Sequence, residues 1–352
     1  MVMDPVGIMR DKRQNVGVGL TKNTTTVADV AREASVSPIT VSRVIRGVGP
    51  VSEETRERVE KAIKQIGYVP NHIAGALASA RSDLVGVVLP SVSNIVFADV
   101  LRGLHDGLTE GLRAVVSISD YSLETEERLV RSLLALRPAA VVLTGCEHTD
   151  STVAMLSRAG IMVVEIMDTD GAAIDVTVGM SSRRAGEESA IHLLQRGYRQ
   201  FGYVGHDASP RDFRAWRRRT SFLATIKSAG AVFLGEEIIH ERSSVPAGRR
   251  ALKQLLEAQP DVEVVYFSND DMAIGGVFHC QAEGLSSERP LGIFGFNGLD
   301  IGQAMPKPLS TILTHRYEIG LRTGRAIVTA IEGGDVEKST DVGFKLIEGA
   351  TA

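Results

Sequence analysis

Residues 27–47 read VADVAREASVSPITVSRVIRG. Thr26 stands before this run and Asp29 three residues later, the spacing of a hydroxyl N-cap and its acidic partner. Val27, Val30, Ala31 and Ala34 then fall on one face of a first short helix. Ser35-Val36 leave room for only a tight connection. Ser37 caps a second helix with Pro38 at its first position, where a missing N–H costs nothing. Val41, Val44 and Ile45 point inward, and Gly47 ends the helix. Two short helices joined by a tight turn read as a helix-turn-helix, whose second helix enters the DNA major groove. Its outward residues are Ser37, Pro38, Ile39, Thr40, Ser42, Arg43 and Arg46. Arg43 can fork onto guanine, while Ile39 and Thr40 suit a thymine methyl. A third helix over 52–66, capped by Ser52, packs Val59, Ala62, Ile63 and Ile66 against the pair. The same spacing suits any three-helix bundle. Residues 24–82 hold eight Lys/Arg against six Asp/Glu, so one such head binds phosphate weakly and a dimer is expected.

Outward from this module the texture changes twice. Residues 1–23 carry no hydrophobic period and read as a disordered tail, leaving 24–69 as the head. Gly67-Tyr68-Val69-Pro70-Asn71 is a breaker, and 70–83 form a hinge segment and linker. From Leu84 onward, apolar strands alternate with helices. Strands are expected at 84–89, 114–119, 139–143 and 161–166, then at 201–204, 262–267 and 292–296. That alternation argues parallel βαβ units with right-handed crossovers. Two series imply two Rossmann-like lobes over 84–345, an α/β core behind an all-α head. Ligands of such sheets sit beyond the carboxyl ends of the strands, here in the cleft between the lobes.

The whole chain has 352 residues, room for two or three domains. A hydrophobic share of 43% with 23% charged residues excludes a mostly disordered protein. The net charge of −4 announces no nucleic-acid partner, so that case rests on the local module. No apolar run reaches ~18 residues, and residues 1–26 lack a signal-peptide pattern, so no membrane partner is expected. Two cysteines, Cys146 and Cys280, rule out a disulfide framework and favour the cytoplasm. There is no phosphate-binding loop, nucleophile elbow or zinc-protease helix motif, and the eight histidines are scattered. No enzyme activity, cofactor or metal is expected.

Several stretches carry a resemblance. Val27-Ala28-Asp29-Val30-Ala31, Thr40-Val41-Ser42-Arg43-Val44, Val51-Ser52-Glu53-Glu54-Thr55-Arg56 and Gly67-Tyr68-Val69-Pro70-Asn71 resemble the headpiece of LacI/GalR-family transcriptional regulators. The resemblance spans residue 27 to about residue 343. It implies that the segment after Pro70-Asn71 becomes a hinge helix on operator DNA, with Asn71, Ala74 and Leu77 at the DNA and Leu77 wedged into the minor groove. Gly75 lowers helix propensity there, as in a helix that forms only when bound. The chain departs from commoner members at Pro38 and Ile39.

The larger body resembles the periplasmic-binding-protein-like core of the same family. Pro90-Ser91-Val92-Ser93-Asn94 and Phe97 correspond to the first wall of the effector pocket, which implies roles for Asn94 and Phe97. Arg218-Arg219-Thr220-Ser221-Phe222 corresponds to an Arg-x-x-Gly-aromatic motif whose arginine binds effector, with Ser221 in place of the glycine. Ser268-Asn269-Asp270-Asp271 and Gly295-Phe296-Asn297-Gly298 place Asn269 and Asn297 at the ligand. Glu165 and Thr144 complete the candidate set. Stretches such as Val96-Phe97-Ala98-Asp99-Val100-Leu101-Arg102-Gly103 look closest to the gluconate-utilisation repressor branch. A sugar acid needs a cationic partner for its carboxylate, and Arg218 can supply a bidentate pair. The expectation is a homodimeric repressor that binds a pseudo-palindromic operator and responds to a sugar acid such as gluconate. The competing readings are a corepressor-dependent regulator or activator of the same family, and a stand-alone sugar-binding protein. The last would need export and leaves the head unexplained.

Overall fold

Capping sets the ends of the first helices. Thr26 Oγ1 accepts from Asp29 N at 3.3 Å while Asp29 Oδ2 accepts from Thr26 N at 2.9 Å, and α1 runs Val27–Glu33. Ser37 Oγ accepts from Thr40 N at 3.1 Å ahead of Pro38, starting α2, Pro38–Arg46. Gly47 at φ 65° closes α2, and Gly67 at φ 63° closes α3, Glu53–Ile66. Val30, Val41 and Val59, one from each helix, are fully buried against one another, with Tyr68 closing the base. The computed structural model describes residues 25–69, 82–92, 95–206, 212–285 and 291–352. The hinge residues Asn71, Ala74 and Leu77, together with Asn94 and the side chain of Arg46, lie outside that description.

The chain forms two units, residues 1–75 and 76–352. The second is a pair of six-stranded sheets. The N-lobe contains β1 (Leu84–Leu89), α4 (Val96–Gly107), β2 (Arg113–Ile118), α5 (Leu123–Ala135), β3 (Ala140–Thr144), α6 (Asp150–Ala159), β4 (Met162–Ile166) and β5 (Val176–Gly179). The C-lobe contains α7 (Ser182–Gln195), β6 (Gln200–His206), α8 (Phe213–Ser228), β7 (Val232–Ile239), α9 (Val245–Ala258), β8 (Val264–Phe267), α10 (Asp270–Ala282), β9 (Gly292–Asn297), α11 (Asp300–Gln303) and β10 (Ser310–Thr314). The chain then returns to the N-lobe as α12 (Arg316–Ile331) and β11 (Ser339–Asp341), and closes in the C-lobe as β12 (Phe344–Ile347). Strand order is β11-β5-β4-β3-β1-β2 in one sheet and β12-β10-β9-β8-β6-β7 in the other. Every pairing is parallel except β10 with β12. The backbone thus passes between lobes three times, after β5, β10 and β11.

The central strands are the apolar runs legible in the sequence. Five strands were not expected: β5, β7, β10, β11 and β12. β11 and β12 are three or four residues long and mostly part-exposed, and β7 is a half-exposed edge carrying Gly235, Glu236 and Glu237. None of these offers a continuous apolar run, and the neighbouring strand decides their pairing. The core also runs beyond residue 345. Ile293 N donates to Thr351 O at 2.7 Å, and Ala352 is buried. α8 begins at Phe213 rather than 217 because Asp212 caps it, accepting from Ala215 N at 3.2 Å.

α4 and α12 meet backbone to backbone. A Cβ on Gly103 would lie 2.0 Å from Tyr317 O, and one on Gly320 would lie 2.0 Å from Val100 O. Only glycine allows this approach, which joins the last long helix firmly to the first helix of the core.

Candidate DNA face and effector cleft

On the head, Ser37, Pro38, Ile39 and Arg43 are exposed, while Thr40 and Ser42 are half-buried. Ile39 is 65% exposed. The aliphatic stem of Arg43 lies beside Gly49, since a Cβ there would meet Arg43 Cδ at 3.6 Å. The Ser37 and Thr40 hydroxyls are 2.9 Å apart and engaged in the cap. The face therefore presents an apolar knob and a guanidinium one helical turn apart.

In the core, a cavity of about 590 Å³ opens between the lobes. Pro90, Ser91, Asp120 and Tyr121 line it from the N-lobe; His206, Asp212, Ser243, Asp271 and Asn297 line it from the C-lobe. These residues follow the carboxyl ends of β1, β2, β6, β7, β8 and β9, as the sheet rule requires. Asp120 (φ 50°), Tyr121 (φ 58°) and Asn297 (φ 122°) hold left-handed backbone without being glycine, a strain found where a site over-determines its geometry.

A second, small recess of about 30 Å³ shares Asp212 and Asn297 with this cavity and is bounded by Arg214, Arg218, Asn269, Phe296 and Asn297. The Arg218 guanidinium lies 3.7 Å over the Phe296 ring, and its Nη2 donates to Ser268 O at 3.3 Å. Arg218 is 7% exposed, and its buried Nε has no acceptor among the described residues. Asn269 Oδ1 accepts from Asn297 Nδ2 at 3.3 Å, and Asn269 Nδ2 donates to Ser243 Oγ at 3.2 Å. Ser243 Oγ in turn donates to the Asp271 carboxylate at 2.6 and 2.7 Å. Burial pushes the Asp212 carboxyl up, but Arg214, Arg218 and His206 outweigh it and hold the group below the usual carboxylate range. The recess thus combines cations with a chain of oriented donors and acceptors.

The run Arg217-Arg218-Arg219 divides three ways because helical residues step by ~100°. Arg217 crosses to the N-lobe, with Nη1 on Asp168 at 2.6 Å and Nη2 on Glu147. Arg219 forks onto Glu236 of β7 with two bonds of 2.6 Å. Only Arg218 points into the recess. Ser221 replaces the glycine of the motif without disturbing it: its hydroxyl donates to Arg183 O at 2.8 Å.

Arg218, Asn269 and Asn297 therefore border one recess. Thr144 donates to Val88 O at 3.3 Å and borders a small side recess with Tyr121 and Arg214. Two expectations are corrected. Phe97 is 1% exposed and belongs to the N-lobe core, because the inward face of α4 carries it beside Val100 and Leu104. Glu165 does not reach the cleft. It is fully buried, with Oε2 accepting from Ile174 N at 2.6 Å and Oε1 3.3 Å from His148 Nε2. His148 Nδ1 meets Glu126 Oε1 at 2.6 Å. Sequence reasoning missed Tyr121, His206, Asp212, Arg214, Ser243 and Asp271. Position after a strand end was the available signal for most of them, but β7 had not been read.

The buried Glu126–His148–Glu165 trio carries a stability prediction. Burial pushes the imidazole down, but the two carboxylates outweigh it and raise His148 to about 9. The stabilisation is full below the unfolded value of 6.5 and is lost as pH rises through about 9. His148→Gln is expected to lower unfolding free energy at pH 6 by on the order of 3 kcal/mol. The gap from the parent should close between pH 6.5 and 9 in urea titrations; a gap independent of pH would show the imidazole to be neutral.

Comparison with known proteins supplies the remaining observation. Residues 26–71 match the family described as "Bacterial regulatory proteins, lacI family", and residues 82–348 match "Periplasmic binding proteins and sugar binding domain of LacI family". The chain is 39% identical over 325 residues to the HTH-type transcriptional regulator GntR of Pseudomonas aeruginosa, covering 92% of this chain and 94% of that one. It is 33% identical over 326 residues to the HTH-type transcriptional regulator GntR of Escherichia coli K12, covering 92% and 97%. The crystal structure of a LacI-family transcriptional regulator from Silicibacter pomeroyi superposes with a TM-score of 0.88 at 40% identity, covering 93% and 99%. The lac repressor dimer bound to operator and the anti-inducer ONPF shares the fold, with a TM-score of 0.76 at 22% identity over 93% and 98% of the two chains.

Proposed function

Since the chain belongs to the LacI family of bacterial regulatory proteins, and is thus a DNA-binding, effector-regulated transcription regulator and not an enzyme, we propose that it is a homodimeric repressor whose effector is a sugar acid of the gluconate type. The observation that carries the ligand class is the buried Arg218 Nε beside Asn269 and Asn297, which has no acceptor among the described residues. A carboxylate is the acceptor that a guanidinium fork fits best. Asn269, Asn297 and Ser243 form a hydrogen-bonded chain beside it that ligand hydroxyls could join. The neighbouring cavity of about 590 Å³, which shares Asp212 and Asn297 with the Arg218 recess, is within the usual range for small-ligand sites. Calorimetric titration with gluconate, glucose and a purine base tests the class. Binding of gluconate alone supports it; binding of only the neutral sugar overturns it.

Two heads on one pseudo-palindrome compensate for the small net charge of each head. If effector weakens operator binding by some factor, operator weakens effector binding by the same factor. A cavity between lobes that the chain crosses three times gives the effector a means to shift one lobe against the other. The hinge residues Asn71, Ala74 and Leu77 belong to this reading as the segment that contacts the minor groove at the operator centre.

Base reading falls to Arg43 and Ile39. Arg43→Ala is expected to weaken specific operator binding by about 1–3 kcal/mol while leaving the melting temperature unchanged. Gel-shift titrations on specific and nonspecific DNA at one salt concentration check it. Equal loss on both would make Arg43 a phosphate contact only.

A further inference from the structure

Arg316, the first residue of α12, is 8% exposed and holds two elements that belong to different lobes. Its Nη1 donates to the Asn297 carbonyl and, at 3.2 Å, to Thr314 Oγ1, and Thr314 Oγ1 itself donates to Asn297 O at 3.3 Å. Its Nε donates to Asp99 Oδ2 at 3.2 Å, and Nη2 lies 3.2 Å from the same oxygen. Asn297 ends β9 of the C-lobe and lines the effector cavity. Asp99 lies in the first turn of α4 in the N-lobe.

Three features make this more than an ordinary buried ion pair. Asn297 sits at φ 122°, so its backbone needs outside support, and the carbonyl that takes the Arg316 bond is its own. The following turn is also pinned from the C-lobe side, where Asp270 Oδ2 accepts from Leu299 N at 2.6 Å. Finally, α4 and α12 are in backbone contact through Gly103, Gly107, Gly320 and Gly324, so Arg316 and Asp99 cannot separate by helix sliding. A shift of Asn297 caused by a ligand is therefore passed on to the start of the first core helix.

We propose that Arg316 is a positioning residue that couples effector occupancy at Asn297 to α4 through Asp99. The inference rests on the reading of the cleft as the effector site. It requires neither residue to touch the ligand. Coupling of this kind needs an element with two arrangements that both sites bias. The lobe pair bridged by Arg316 is that element.

Two variants of the full-length protein test it, Asp99→Ala and Arg316→Lys, in two independent measurements. The first is hydrogen exchange without ligand, read at the Gly298 and Leu299 amides. Asp99→Ala, made in the other lobe, is expected to speed exchange there about tenfold more than at amides elsewhere in the C-lobe, whatever the change in melting temperature. Unchanged exchange at these amides overturns the proposal whatever the ligand is. The second is operator binding with and without gluconate. A regulator of this kind shows a coupling of ~5–150-fold. Asp99→Ala is expected to keep ligand-free operator affinity and gluconate affinity within about threefold of the parent, yet bring the coupling to within about twofold of one. Arg316→Lys keeps the charge but cannot serve both partners, so it should lose coupling as well. A purely structural role would lower the melting temperature and leave the coupling intact, and that result overturns the proposal. Should the parent itself show no gluconate binding, the effector assignment falls, and the exchange result still decides the role of Arg316.

Discussion

Arg218→Ala is expected to bind operator as tightly as the parent and to remain bound at gluconate concentrations that release the parent. The side chain is buried under the cleft and far along the chain from the head, so its loss bears on ligand and not on DNA. Truncating one partner of a buried charged pair costs ~2–5 kcal/mol, or at least ~30-fold in affinity. The loss is increased because Arg218 is also one of the groups that hold the Asp212 carboxyl low. Arg218→Lys should fall between the two, since an ammonium preserves charge but not the two-pronged geometry. Calorimetry for gluconate and gel shift for operator give the two readouts. An unchanged gluconate affinity in Arg218→Ala would remove this residue from the site.

Gly103→Ala is expected to destabilise the core strongly. The new Cβ would lie 2.0 Å from Tyr317 O and 2.8 Å from Leu321 N. Both obstacles are backbone atoms of α12, so no side-chain rotation relieves the clash and the helices must separate. Overpacking of this kind costs ~1–3 kcal/mol where side chains can yield, and about 3 kcal/mol or more is expected here. Gly235→Ala is the matched control. Its Cβ would meet only the flexible Gln259 side chain at 3.2 Å, and a change of within about 0.5 kcal/mol is expected. Urea denaturation of the three proteins compares them. If Gly103→Ala unfolds at the parent's midpoint, α4 and α12 separate without cost and the rigid pair invoked for Arg316 does not exist.

Much of this protein was legible because local chemistry sufficed. Thr26 with Asp29, Ser37 with Pro38, and the pairs Gly47 and Gly67 mark helix ends through hydrogen bonds and backbone angles that involve only near neighbours. The central strands were legible because a strand buried on both faces is a continuous apolar run. Edge strands lack that signature. β7 and β11 are strands only because β6 and β5 offer them a ladder.

The cleft divides along the same line. Asn269 and Asn297 follow motifs tied to the ends of β8 and β9 and Arg218 a motif within α8, and the three border one recess. Three adjacent arginines look alike in sequence, and only the orientation of α8 between the lobes sends Arg217 to Asp168, Arg218 to the recess and Arg219 to Glu236. Glu165 follows an apolar run like any residue near a strand end, yet His148 from 17 residues away and the Ile174 amide hold it in the interior. Arg316 and Asp99 are 217 positions apart and meet only because the chain returns to the N-lobe after β10. Local capping and hydrophobic pattern therefore determined which elements exist. Long-range pairing decided which charged groups face the recess and which are neutralised elsewhere, because the partner of each paired group comes from a distant part of the chain.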